Sequence, residues 1–319
     1  MEDLPPIVFY GTSKFATDIL EVITQNNIPV RGVVTAPDKP AGRGRKIQSP
    51  SVKLFALDHG ISVFQPEKLT EFSFLKKLRQ WNPRLQVVVA FRMLPEVVWS
   101  LPELGTFNLH ASLLPQYRGA APIQRALMNG ENETGVTTFF INHEIDTGRI
   151  IMQQNVPISP DDNAGTLSGK LMKAGAQLVI KTIKAIVRKD IKLIEQDSLT
   201  REPLKKAPKI TKEDCYINWR RKPSEICNQI RALSPVPGAR TQIVTKSGKQ
   251  QILKIFAATP RYENHSFPIP SFVTDNKNHL DVAVDAGFVS LQQVQLEGRK
   301  KMEIMQFLKG FYSEDARIL

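Results

Sequence analysis

The chain has 319 residues, a length that suggests about two domains, and is 41% hydrophobic, ample for buried cores, and 23% charged, ordinary for a soluble protein. No apolar run approaches the ~18–20 residues of a membrane span, and two cysteines, Cys215 and Cys227, supply neither a disulfide framework nor a four-ligand zinc set. Forty-three Lys and Arg against 31 Asp and Glu give a formal charge of +12, an excess that favours a polyanionic partner, nucleic acid before membrane.

The opening hexapeptide, Met-Glu-Asp-Leu-Pro-Pro, reads as neither a secretory signal nor an Arg-rich transit peptide, so a reduced, cytoplasmic protein is expected. Residues 7–10 form an apolar run ending at Gly11, and Thr12 or Ser13 can cap the next helix, whose Phe15, Ile19, Val22 and Ile23 share one face. Gly11 allows a tight strand-to-helix turn. It is a single glycine where G-x-G-x-x-G needs three, which disfavours a nicotinamide enzyme. A second strand spans 30–34. Behind it Asp38-Lys39-Pro40-Ala41-Gly42-Arg43-Gly44-Arg45-Lys46 reads as a flexible, exposed loop. Its Arg43, Arg45 and Lys46 are suited to wrapping the phosphates of a large anionic substrate. Residues 58–64 close a second helix and enter a third strand, and residues 85–90, nearly all apolar and β-branched, suit a strand covered on both faces. This alternation predicts a Rossmann-like parallel sheet with helices on both faces and a ligand beyond the carboxyl ends of its strands. Gly11, Phe91 and residues 108–110 fall at those ends.

The most informative stretch is Phe107-Asn108-Leu109-His110-Ala111-Ser112-Leu113-Leu114-Pro115-Gln116-Tyr117-Arg118-Gly119-Ala120-Ala121-Pro122. In an extended strand, Asn108 and His110 point to the same face. An amide able to hold a carbonyl oxygen beside an imidazole able to carry a proton suggests chemistry at a carbonyl. A lone Asn-x-His is more often a strand end with a satisfied histidine; the length of this run argues otherwise. Further on, Ile145-Asp146-Thr147-Gly148 places a carboxylate in a turn, from which Asp146 can orient His110 and favour its charged form. Aspartic proteases need two Asp-Thr-Gly motifs and this chain has one. His143 and Glu144 lack further clustered ligands and read as surface. Neither a serine nucleophile elbow nor a P-loop occurs.

A long helix is expected over 164–188, with Leu167, Leu171, Ala174 and Leu178 on one stripe. Residues 198–212, polar and basic with Pro203 and Pro208, read as a linker between a domain at 1–197 and another at 213–319. In the second, a short helix over 224–233 precedes strands at 241–245, 251–256, 280–284 and 288–295, the pattern of a small β-barrel or sandwich. Residues 260–270 read as an irregular insertion. From residue 204 onward 19 Lys and Arg face 11 Asp and Glu, so this part carries +8 of the charge. Cys215 and Cys227 are taken as structural.

Asn108-x-His110, the following Ser-Leu-Leu-Pro-x-Tyr-Arg-Gly-x-x-Pro and the later Asp-Thr-Gly resemble the 10-formyltetrahydrofolate-dependent formyltransferases. Residues 33–44, Ser49-Pro50-Ser51-Val52-Lys53, Val63-Phe64-Gln65-Pro66 and Gly119-Ala120-Ala121-Pro122-Ile123-Gln124-Arg125 extend the similarity toward the branch that acts on initiator methionyl-tRNA. The basic tail, with Arg231-Ala232-Leu233-Ser234-Pro235, is similar to that branch's small OB-like barrel. The resemblance implies formyl transfer from 10-formyltetrahydrofolate to the methionyl amine on the tRNA acceptor arm, by a monomer, without a metal. It assigns catalysis to Asn108, His110 and Asp146, and tRNA contact to Arg43, Arg45 and Lys46. The folate would lie among Phe91, Arg92, Met93, Leu94, Ser112, Leu113, Leu114 and Pro115. Two segments depart from the family pattern: Phe91-Arg92-Met93 stands where many members carry Tyr-Gly, and Asn142-His143-Glu144-Ile145 is unusually polar. A purine-pathway formyltransferase would need a phosphate cradle after the first strand, and the Pro-Ala-Gly-Arg-Gly loop speaks against a nucleotide-sugar acceptor. A formyltetrahydrofolate hydrolase, or an RNA-binding protein on an inactive scaffold, stays open.

Overall fold

The apolar run at the N-terminus forms β1 (Ile7–Gly11), every residue of which is buried. A computed structural model of the chain describes residues 4–41, 46–199, 202–312 and 316–319. Ser13 caps α1 (Lys14–Gln25) by accepting the Ala16 N–H at 3.4 Å, and Ala16, Ile19, Leu20 and Ile23 face the sheet side as buried residues. A Cβ on Gly11 would lie 2.6 Å from the Ala16 Cβ and 2.8 Å from the Phe9 ring. Close helix-on-strand packing is therefore what requires glycine there.

There follow β2 (Val30–Val34), the short antiparallel pair β3 (Lys39–Ala41) and β4 (Lys46–Gln48), α2 (Ser51–Asp58), β5 (Val63–Phe64) and α3 (Phe72–Trp81). The fully buried β6 (Leu85–Val89), α4 (Glu96–Trp99), β7 (Thr106–His110), α5 (Pro122–Met128), β8 (Glu133–Phe140), β9 (Ile150–Pro157) and α6 (Ala164–Arg188) come next. The sheet order is β5-β2-β1-β6-β7-β8-β9. The chain winds outward from β1 and returns through β6, so the order reverses between these two strands and leaves a crevice at their carboxyl ends. The sheet is mixed rather than wholly parallel: β8 and β9 run antiparallel to their neighbours. That hairpin is hidden in the sequence because Thr134, Thr137 and Thr138 are polar yet buried. Thr137 donates to the Ser112 carbonyl and Thr138 bonds Thr182, which satisfies both hydroxyls inside the fold. Helix α6 spans the expected residues and buries Leu167, Leu171, Ala174 and Leu178.

The chain divides into two compact units. One comprises residues 1–119, 133–157 and 168–206; the other comprises 120–132, 158–167 and 207–319. The second unit contains α7 (Pro223–Ala232), β10 (Ala239–Thr245), β11 (Gln250–Arg261), β12 (Ser271–Thr274), β13 (Leu280–Val284), β14 (Gly287–Leu296), β15 (Met302–Glu303), α8 (Ile304–Leu308) and β16 (Ala316–Ile318). Its strands follow the antiparallel order β12-β13-β14-β11-β10-β16, with β15 beside β14 and β12 approaching β16, a nearly closed barrel. The segment expected to be irregular from residue 260 begins later, because β11 continues through Arg261, and it ends at β12.

Helix α5 belongs to this second unit. It is fastened by Arg125, whose guanidinium grips both Asp214 carboxylate oxygens at 2.8 and 3.3 Å and donates to the Pro208 and Lys209 carbonyls. The Thr211 backbone N–H, with Arg125, holds the Asp214 carboxyl below the usual carboxylate range. Cys215 and Cys227 lie in the core around Trp219, Ile226 and Ile230, and burial pushes the Cys227 thiol up to about 12. A thiol so protonated is inert, in keeping with a packing role. Among the described residues no helix is long and apolar enough to cross a membrane.

Candidate active site

The strand β7 delivers Asn108 and His110 to one face, two residues apart. The Asn108 side chain is half-buried and its amide has no hydrogen-bond partner among the described residues. His110 is 6% exposed, and its Nε2 lies 2.9 Å from the Tyr117 carbonyl oxygen. A carbonyl only accepts, so Nε2 carries a proton and Nδ1 is the nitrogen left to gain or release one. That Nδ1 faces Asp146 Oδ2 at 3.8 Å. The gap is longer than a hydrogen bond, which leaves an Nδ1–H free to donate to a third atom.

Asp146 is held by its own surroundings. Its Oδ2 accepts the Gly119 N–H at 3.0 Å. Its backbone is left-handed, with φ of 56°, a conformation that non-glycine residues hold only where neighbours over-determine it. The polar departure ahead of it supplies part of that constraint: the Asn142 side-chain oxygen accepts the Glu144 N–H and the Thr147 hydroxyl. A Cβ on Gly148 would lie 1.7 Å from the Phe140 carbonyl oxygen, so glycine alone lets the chain pass into β9. Each residue of Asp-Thr-Gly thus has a separate physical reason. Gln196 clamps the same turn, donating to the Asp146 and Gly148 carbonyls at 2.9 and 2.8 Å. The sequence gives no sign of it, since it sits in a short polar 3₁₀ turn, Gln196–Ser198, far along the chain.

The residues expected to hold a folate lie in two segments, one following β6 and the other following β7. Phe91 is half-buried and meets Tyr10 edge-on at 5.7 Å, while Met93 is exposed. Arg92 donates to the Pro66 and Glu67 carbonyls at 2.6 and 2.7 Å, so this departure staples its loop to residues 66–67. The Leu94 and Leu114 side chains lie in the core, which leaves only their backbone to face a ligand. Ser112 donates to the Gln116 carbonyl, Pro115 is buried behind a cis bond, and Leu113 is half-buried. The buried Tyr10 hydroxyl has no partner among the described residues, and burial raises its pKa.

Arg43 and Arg45 lie outside the described residues, as does the Lys46 side chain, though the Lys46 backbone opens β4. The base of this loop is anchored. Asp38 binds Lys53 Nζ at 2.6 Å and Gln65 Nε2 at 2.8 Å, which hold its carboxyl below the usual range. Gln65 also donates to the Ala36 carbonyl. Lys53 and Gln65 come from two of the family-like motifs, so those motifs are joined by one anchoring contact. His143 and Glu144 are exposed; His143 packs edge-on against Trp99. Among the described residues no group of three His, Cys, Asp or Glu is placed to hold a metal ion.

Residues 6–183 match the formyl transferase family model, and residues 209–312 match the formyl transferase C-terminal domain. The chain is 49% identical to the methionyl-tRNA formyltransferase of Bacteroides thetaiotaomicron over 98% of each chain. It is 51% identical to that of Azobacteroides pseudotrichonymphae over 95% of each, and 46% identical to that of Flavobacterium johnsoniae over 98% of each. Among solved structures, the sugar 3N-formyl transferase WlaRD, in the presence of dTDP and 5-N-formyl-THF, matches with a TM-score of 0.63 at 22% identity, covering 94% of this chain and 100% of that one. HypX of Aquifex aeolicus in complex with tetrahydrofolic acid matches at 0.63 and 17% identity, covering 97% of this chain and 48% of that one.

Proposed function

The chain belongs to the formyl transferase family, and we propose that it carries the formyl group of 10-formyltetrahydrofolate to the α-amino group of initiator methionyl-tRNA, the activity for which its relatives are named. It is a formyl-transferring enzyme. The observation that carries the reading is the Asn108 amide, without a partner among the described residues, beside the buried His110–Asp146 pair.

The neutral methionyl amine attacks the formyl carbon; a C–N bond forms and the carbonyl electrons move onto oxygen. Asn108 donates to that oxyanion through its side-chain N–H, and protonated His110 adds a charge-assisted donor from Nδ1. Asp146 stabilises the charged ring and, through a water, takes the proton from the attacking nitrogen. The proton passes to the departing folate nitrogen as the second C–N bond breaks. No step requires a metal. The folate lies against the Phe91 and Met93 side chains, with the backbone of Arg92 and Leu94, and against Ser112, Leu113, Leu114 and Pro115.

Residues 1–197 form the catalytic part in this reading. Residues 213–319 form the tRNA-binding part, joined through 198–212, and the enzyme acts as a cytoplasmic monomer on the tRNA acceptor arm. Arg43, Arg45 and Lys46 neutralise acceptor-arm phosphates. Removing an oxyanion donor typically costs about 100- to 1000-fold in rate. Asn108→Ala and His110→Ala should each lose that much kcat with folate still bound; near-normal turnover in either would refute the site assignment.

A further inference from the structure

We propose that Gln196 is a positioning residue for formyl transfer, holding Asp146 and the loop that orients His110 in one arrangement. The inference rests on the assignment of His110 and Asp146 above. Gln196 is 2% exposed, and three of its hydrogen bonds reach the site's two halves. Its Nε2 donates to the Asp146 and Gly148 carbonyls at 2.9 and 2.8 Å, and its Oε1 accepts Arg118 Nε at 2.9 Å. Arg118 stands between Tyr117, whose carbonyl receives His110 Nε2–H, and Gly119, whose N–H holds Asp146 Oδ2. One amide therefore ties the turn bearing the carboxylate to the loop that aims the imidazole.

The chain beyond Gln196 returns to the same loop. The Lys205 carbonyl accepts the Tyr117 N–H at 2.6 Å, and the Lys205 N–H is held by Gln116 Oε1 at 2.8 Å. The Tyr117 peptide is thus gripped from its N–H by the linker while its carbonyl grips His110. The entry to the linker is part of the site's support as well as a connection between units. A buried amide with both donors spent on carbonyls around a left-handed aspartate is specific in chemistry: Glu matches its shape and keeps the acceptor, but when ionised lacks both donors.

The test compares the full-length parent with Gln196→Ala, Gln196→Glu and His110→Ala, using 10-formyltetrahydrofolate and charged initiator methionyl-tRNA well below each melting temperature. Misplacing a catalytic group by about 1 Å costs on the order of 100-fold. Both Gln196 variants should lose about 10- to 100-fold in kcat, with KM for each substrate within about twofold. Gln196→Glu should recover relative to Gln196→Ala between about pH 8 and about pH 5, because burial at a position 2% exposed raises a carboxyl above its ordinary value, so that on acidification it gains a proton and regains one donor. A purely structural role would leave kcat intact at low temperature and the two pH profiles parallel. If either Gln196 variant keeps the parent's kcat while His110→Ala is inactive, the inference fails and the site assignment stands. If His110→Ala is active as well, the assignment itself fails. Should Gln196→Ala not fold, Gln196→Glu decides by its kcat and pH profile against the parent's.

Discussion

Asp146→Asn isolates the charge at the centre of the site. The replacement has nearly the same shape, and its side-chain oxygen can still accept the Gly119 N–H now bound at 3.0 Å. What disappears is a unit charge 3.8 Å from His110 Nδ1, between side chains only 15% and 7% exposed. At that separation, with an effective dielectric constant of about 20, two unit charges attract by about 4 kcal/mol. If this attraction acts fully in the transition state, where the ring carries its proton, the rate falls about 1000-fold. Rapid-quench transfer of labelled formyl in a single turnover reads the chemical step, and folate affinity measured by equilibrium titration shows whether the pocket persists. A single-turnover rate within tenfold of the parent, with folate affinity unchanged, would refute a catalytic role for the carboxylate charge.

Arg43→Ala should weaken use of methionyl-tRNA most at low ionic strength and leave folate affinity unchanged, because one phosphate contact fewer lowers the salt slope by about one, so the gap to the parent narrows as salt rises. Identical turnover of tRNA by variant and parent across a salt series would contradict that role. Asp214→Asn should lower stability at neutral pH. Its carboxyl is depressed in the folded state, so its contribution is present above the ordinary aspartate value of about 3.9 and fades as pH falls through the lower folded value. Denaturant midpoints for parent and variant should therefore converge in acid; a gap that stays constant to low pH would show that the Thr211 and Arg125 contacts do not act through the charge.

The residues proposed to do the chemistry were legible because they lie close together in sequence or carry a turn motif. Asn108 and His110 need only a strand to share a face, and Asp-Thr-Gly announces a turn. The contacts that hold them were not legible. Gln196 lies in a polar stretch with no periodicity, and nothing local shows that its amide reaches Asp146. The β8–β9 hairpin was masked by buried threonines, two of which, Thr137 and Thr138, find their hydroxyl partners in a loop and a helix that are brought near only by folding. Arg125 ends one of the family-like motifs, but its hold on Asp214 and two carbonyls shows only in the fold. Family resemblance supplied Lys53 and Gln65 as parts of motifs; their joint hold on Asp38 gave them a physical purpose.

The most direct measurement is transfer of labelled formyl from 10-formyltetrahydrofolate to charged initiator methionyl-tRNA, with free methionine and uncharged tRNA as controls. The account predicts formylmethionyl-tRNA only in the complete reaction. Donor consumption without a tRNA product, as a hydrolase would give, or no donor consumption at all, would contradict it.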